Sequence, residues 1–249
     1  MIETQHAITE ESPAAPTTPA RTRRSSETVA KAPVVRSTRR TTPIDALHKG
    51  FVQNRRAVVL AGHLAELLPR PCRTVLDVGC GDGVIDALLL RKRPELSITG
   101  LDVAERPGAR IDVRCFDGRR LPCGDRSQDV VMLIDVLHHT DDPIVLLREA
   151  ARVARRAVVV KDHAREGFLA GPTLRFMDRA GNRRYGVPLP YTYWRSDQWG
   201  EAFRSLGLHV EQWRDRLGLY AGPLRLIFER SLHFVARLAI PSTPSEESL

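Results

Sequence analysis

Thr74-Val75-Leu76-Asp77-Val78-Gly79-Cys80-Gly81-Asp82-Gly83 decides the fold of this chain. Val75, Leu76 and Val78 make the short apolar run of a strand buried on both faces. Three glycines at alternating positions follow at once, and Val84-Ile85-Asp86-Ala87-Leu88-Leu89-Leu90 then reads as a helix. A strand that turns into a helix through glycines lets a ligand approach bare backbone, while the helix N-terminus points N–H groups at it.

The spacing separates two ligand classes. A dinucleotide fingerprint needs G-x-G-x-x-G, but the sixth residue counted from Gly79 is Val84. The glycines here run G-x-G-x-G, and Asp77 stands two residues before the first. A carboxylate in that place repels a pyrophosphate and suits a cationic amino group. The next apolar strand, Leu96 to Leu101, ends in Asp102. An acid about twenty residues beyond such a loop is placed to accept hydrogen bonds from ribose hydroxyls. An ammonium-bearing nucleoside held by two acids around a glycine loop points to S-adenosylmethionine.

In VLDVGCGDG and the following GLDV the chain resembles the class I S-adenosylmethionine-dependent methyltransferases, especially the small-molecule type 11 and ubiquinone-biosynthesis-like groups. The resemblance covers residues 44–240 and is strongest over 73–163. It implies an α/β fold of Rossmann-like, doubly wound form. The expected sheet is mostly parallel and seven-stranded, with helices on both faces and a lid insertion after the fifth strand. It implies S-adenosylmethionine as cofactor, held among Asp77, Gly79, Cys80, Gly81, Gly83, Asp102, Val103, Phe116, Asp117 and Asp135. Asp117 would meet the adenine amino group and Phe116 its ring. The implied activity is methyl transfer to an O, N or C acceptor on a small molecule.

Beyond the loop, Val130 to Ile134 reads as the fourth strand, and Asp135-Val136-Leu137-His138-His139 runs past its carboxyl end. Open parallel sheets bind ligands outside the carboxyl ends of their strands. Asp135, His138 and His139 are therefore the polar cluster best placed for methyl transfer. The fifth strand ends in Lys161-Asp162-His163. Where the acceptor needs a base, His138 or His139 is expected to supply it, with His163 as a further candidate, because neutral imidazole is the usual base near neutrality. Asp142-Pro143 starts a helix as N-cap and first-turn proline, with Ile144, Leu147, Ala151 and Ala154 expected on its inner face. Residues 164–197 mix Phe, Tyr and Trp with several Arg and read as the lid. A helix from Ser196 to Leu206, ended by Gly207, precedes the closing strands Leu208–Trp213 and Leu232–Leu238. Leu224, Ile227 and Phe228 between them read as a connector helix packed on the sheet; contact with a membrane, if any, is peripheral.

The bulk numbers narrow the function classes. The 249 residues suffice for one substantial domain. Residues 1–42 hold seven Arg/Lys against four Glu and no aromatic residue, so part of the net charge of +8 belongs to a basic tail expected to be disordered. The domain is expected over 43–240, with a frayed tail at 241–249. The remainder carries no long basic block, which weighs against nucleic acid as partner. Cys72, Cys80, Cys115 and Cys123 form no C-x-x-C pair and no clustered His–Cys spacing, so neither a metal motif nor a disulfide scaffold is read and a reduced, cytoplasmic setting is expected. Two other readings stay open. One is a catalytically silent, cofactor-binding scaffold, and the other is a nucleic-acid methyltransferase using the Arg-rich tail.

Overall fold

The computed structural model describes residues 54–182 and 190–240. The tails at 1–42 and 241–249, the domain start at 43 and part of the expected lid lie outside the described residues. In chain order the elements are α1 (Asn54–Leu67), β1 (Thr74–Val78), α2 (Val84–Lys92), β2 (Ser97–Asp102), β3 (Asp112–Cys115) and β4 (Gln128–Ile134). After a single 3-10 turn at Leu137–His139 come α3 (Pro143–Val153), β5 (Ala154–His163), α4 (Ala170–Asn182), α5 (Ser196–Ser205), β6 (His209–Arg214), α6 (Leu224–Phe228) and β7 (His233–Ala239).

The seven strands lie in the order β3-β2-β1-β4-β5-β7-β6. All neighbours pair parallel except those of β7, which runs antiparallel to β5 and β6. The expected doubly wound α/β sheet is therefore present, and β1 and β4 sit at its centre, as their unbroken apolar runs require. Val75, Leu76 and Val78 are buried, as are Val130 to Ile134. Among the described residues an apolar core covers each face of the sheet, and a smaller cluster of Ala170, Leu174, Tyr193 and Leu232 sits beside them. Leu76, Val78, Val131 and Leu133 point to the face carrying Leu147, Trp199 and Phe203, while Val75, Val130 and Met132 point to the face carrying Leu64, Leu67 and Leu89. Alternation along a single strand feeding two cores is what a sheet covered on both sides demands.

Three local details differ from expectation. The sequence run Arg110 to Phe116 reads as the third strand, but the edge strand β3 is only Asp112–Cys115 and mostly exposed. On α3 the buried residues are Pro143, Leu146, Leu147, Ala150 and Val153; Ile144 and Ala151 flank them half-buried. Ala154 is not on the helix at all, because β5 begins there directly. That abrupt exit is held by Asp129, which takes Arg155 at 2.8 Å and Arg156 at 3.2 Å as well as the backbone N–H groups of Arg73 and Thr74. Asp142 does cap α3, its carboxylate accepting from the Ile144 N–H at 2.9 Å. Among the described residues no helix is long and apolar enough to cross a membrane.

Candidate functional site

The chain leaves β1 toward β2 on one side and leaves β4 toward β5 on the other, so the crevice between their carboxyl ends is the switch point where such sheets bind ligands. A cavity of about 1080 Å3 opens there. Asp77, Gly79, Cys80, Gly81, Asp102, Val103, Phe116, Asp117 and Asp135 all line it, joined by His139, Thr140 and Pro190. Gly83 is the one residue of the expected cofactor set outside the lining. It turns the chain into α2 with φ 70°, and a Cβ there would meet Ile111 at 2.7 Å.

The glycine loop is shaped by close approach. A Cβ on Gly79 would lie 2.5 Å from Val136 Cγ2, and its φ of +78° favours glycine besides. Asp102 braces the loop across the crevice. Its carboxylate accepts from the Gly81 N–H and the Ala104 N–H, both at 3.0 Å, and pairs with Arg106 at 3.0 Å. A carboxylate offers about four lone-pair positions, so the brace fixes its orientation and leaves capacity for a sugar hydroxyl. Asp117 is exposed and builds its own turn by accepting from the N–H groups of Arg119 and Arg120 at 2.8 Å each, bonds that lower its pKa. The Cys80 thiol is pushed up by burial and by Asp77, which keeps it inert.

Asp77 is the informative member. Its Oδ1 is buried and receives no N–H or hydroxyl from the other described residues, a costly state for an ionised carboxylate. Beside it the wholly buried Asp86, from the first turn of α2, likewise receives no N–H or hydroxyl from them, and the two carboxyls hydrogen-bond to each other. Burial first, and Asp86 next, push the Asp77 carboxyl well above its usual range, and burial lifts Asp86 to about 6. Two buried acids side by side retain a proton that a cation would displace. The donor set fits S-adenosylmethionine: a buried acid without an N–H donor for the ammonium, a braced acid for the ribose and an aromatic ring, Phe116, for the base. Asp86 went unread in the sequence, although an acid on the inner side of VIDALLL was its signal.

The three histidines occupy different positions. Only His139 lines the cavity; His138 and His163 lie behind its wall, 2% and 4% exposed. Asp162 ties them together. It accepts from the N–H groups of Leu137 and His163 and binds His138 Nδ1 at 2.6 Å, stapling the 3-10 turn to β5. Asp178, brought in by α4, lies 3.6 Å from His138 Nε2 and 3.8 Å from His163 Nε2, and accepts from the Tyr193 hydroxyl. Burial works against charge on His138, but Asp162 and Asp178 outweigh it and raise the ring to about 10. An imidazolium held there holds a proton instead of accepting one. Burial and the neighbouring His138 lower both other rings, so His139 stays neutral where it meets the cavity. Asp135 also faces the cavity and takes the wholly buried Lys161 and, at 3.7 Å, Arg56. Asp178 and Tyr193 could not be read from sequence, because nothing in their spacing ties them to the histidines.

Comparison with known proteins agrees with this geometry. Residues 76–160 match the sequence model of the family described as "Methyltransferase domain". The chain is 31% identical over 129 residues to the 27-O-demethylrifamycin SV methyltransferase of Amycolatopsis mediterranei, covering 44% of this chain and 47% of that protein. It is 30% identical over 95 residues to the ubiquinone biosynthesis O-methyltransferase of Pseudomonas paraeruginosa, covering 33% and 40%. The chain thus spans less than half the length of these curated relatives. The crystal structure of a SAM-dependent methyltransferase from Aquifex aeolicus superposes with a TM-score of 0.53 at 18% identity, covering 76% of this chain and 93% of that one. The matched segment runs from Leu76 in β1 through the glycine loop and Asp102 to Val160 in β5, so this part of the chain is similar to the methyltransferase domain, and the chain shares its fold with a solved S-adenosylmethionine-dependent methyltransferase.

Proposed function

We propose that this chain moves the methyl group of S-adenosylmethionine to a hydroxyl of a small organic acceptor. The observation that carries the reading is one continuous cavity with the glycine loop and the two acids Asp77 and Asp102 in its lining together with the neutral imidazole of His139. Within it, Asp77 takes the amino group, Asp102 the ribose, and Phe116 with Asp117 the adenine. An oxygen acceptor is favoured by the names of the two relatives, both small-molecule methyltransferases and one an O-methyltransferase by name. The domain is taken as 43–240, with 164–197 as a lid that brings Pro190 to the cavity and Tyr193 and Asp178 to the histidines behind its wall.

The sulfonium is already a strong electrophile, so the protein's work is alignment and exclusion of water. The acceptor oxygen attacks the methyl carbon in line, the C–S bond breaks, and its electron pair stays on sulfur. A hydroxyl must lose its proton along the way, and His139 is the cavity-facing histidine in place to assist. Labelled S-adenosylmethionine incubated with a panel of phenolic and aliphatic hydroxyl compounds tests the proposal by transfer of label. His139→Ala should lower kcat by about 10²–10⁴-fold, the range of acid–base assistance, with S-adenosylhomocysteine affinity unchanged. A variant that keeps the full rate removes His139 from the chemistry.

A further inference from the structure

We propose that His138, His139 and Asp178 form a site for one late first-row divalent metal ion, such as zinc, at the acceptor side of the cavity. The inference rests on the reading above for what the ion does, but not for its binding. One ligand atom from each of the three residues lies within 4.8 Å of the others, and two of the residues are buried. His138 Nε2 and Asp178 Oδ1 are 3.6 Å apart. Two donors at about 2.1 Å from a tetrahedral ion lie roughly 3.4 Å apart, so a small inward movement of the side chains closes the set.

The supporting shell is what distinguishes this cluster from a chance meeting of polar groups. Ligating histidines are held by an acceptor on the other ring nitrogen, which fixes the tautomer. Asp162 does this for His138 from 2.6 Å at Nδ1, leaving Nε2 toward Asp178; the proton that Nε2 carries without metal is displaced by the ion, as metal binding to histidine requires. Tyr193 donates to Asp178 Oδ2 and so orients Oδ1 toward the histidines. His163 stands beyond, its Nδ1 on the Leu232 carbonyl at 3.3 Å and its Nε2 3.8 Å from the same Asp178 oxygen. The buried cation Lys161 is engaged by Asp135, on the other acid of the cluster. Two imidazoles and one carboxylate are the donors that zinc, cobalt(II) and iron(II) favour, with positions left open for a substrate. His139 lines the cavity, so those positions face the acceptor. With an ion bound, His139 assists as a ligand and not as a free base: the ion lowers the pKa of a bound hydroxyl, whose proton passes to water, and the oxyanion attacks the sulfonium methyl as the C–S bond breaks. The ligands come from the turn after β4 and from α4, some forty residues apart, which is why no metal spacing is visible in the sequence.

The test uses the full chain, stripped with chelator and titrated with cobalt(II) and zinc(II) alone, with S-adenosylhomocysteine binding measured in parallel. One cobalt(II) per chain with the intense visible absorption of a low-coordinate site is expected, displaced by zinc(II). His139→Ala and Asp178→Asn, each removing a direct ligand, should weaken cobalt(II) binding by at least the roughly 10–100-fold that loss of a group merely supporting a ligand costs, while S-adenosylhomocysteine affinity is retained. His139→Ala removes a half-buried ring from a turn, and retained cofactor binding reports that it folds. No cobalt(II) binding, or binding equal in parent and both variants, overturns the site. Failure of S-adenosylhomocysteine to bind a chain that takes up cobalt(II) overturns the methyltransferase reading instead.

Discussion

At neutral pH an Asp86→Asn protein unfolds at a higher temperature than its parent, and the difference vanishes in acid. Asp86 is wholly buried beside Asp77, and both carboxyls titrate above their usual range, Asp86 at about 6. A raised carboxyl pKa means that the folded state binds more protons than the unfolded state between the two values. Stability from this pair is therefore present at low pH and falls as pH rises from about 4 through about 6, and further for Asp77. The amide removes one titrating group while still donating to Asp77. The gain at neutral pH is on the order of 2–3 kcal/mol, roughly 5–10 °C in a domain of this size. Differential scanning calorimetry from pH about 4 to about 8 reads it directly, and a parent-like pH dependence in the variant contradicts it. The same proton bears on function. An ammonium arriving at Asp77 must displace it, so S-adenosylhomocysteine should bind the parent more tightly as pH rises through about 6, and Asp86→Asn should flatten that slope.

Asp135→Ala should be the most damaging single change at the cavity, because it strands a cation. Lys161 is fully buried on β5 and Asp135 takes its ammonium. Burial disfavours charge on both, yet Lys161, His163 and Arg56 together hold the Asp135 carboxyl well below its usual range. Removing one partner of such a pair costs about 3–5 kcal/mol, most of it from the charge left behind. Lys161→Met in the same chain should return most of that loss, and denaturant unfolding of the four-member cycle measures the coupling. Burial already lowers the Lys161 pKa. Without Asp135 it falls further below its unfolded value, so the unfolded state binds more protons and the single variant regains stability as pH rises. Additive losses in the double variant contradict the account.

How far the sequence could be read follows from what local chemistry determines. The glycine loop, the flanking strands and the Asp142 cap are set by residues adjacent in the chain, and each stands where those residues put it. Asp102 was legible because the length of one strand-helix-strand unit fixes its distance from the loop. The inner face of α3 was misjudged because its last turn gives way to β5 at Ala154 without a turn residue, a termination fixed by Asp129 from another strand. The histidine cluster was only half legible. His138, His139 and His163 follow from strand ends, but their burial and charge depend on Asp178 and Tyr193, which reach them through the insertion after β5. Asp86 hid in an apolar helix because pairing with Asp77 is a tertiary fact.

The measurement that bears most directly on the whole account is thermal unfolding of the parent and of Asp102→Ala, each with and without S-adenosylhomocysteine. Asp102 braces Gly81 and lines the cavity, so its loss lowers the baseline, and the ligand-induced increment is the quantity to compare. At a ligand concentration 100 times the dissociation constant the parent should gain roughly 2.7 kcal/mol, and the variant should gain little at that same concentration. A parent that does not shift at any soluble concentration, or a variant that shifts as far as the parent, would contradict the assignment of this crevice to S-adenosylmethionine.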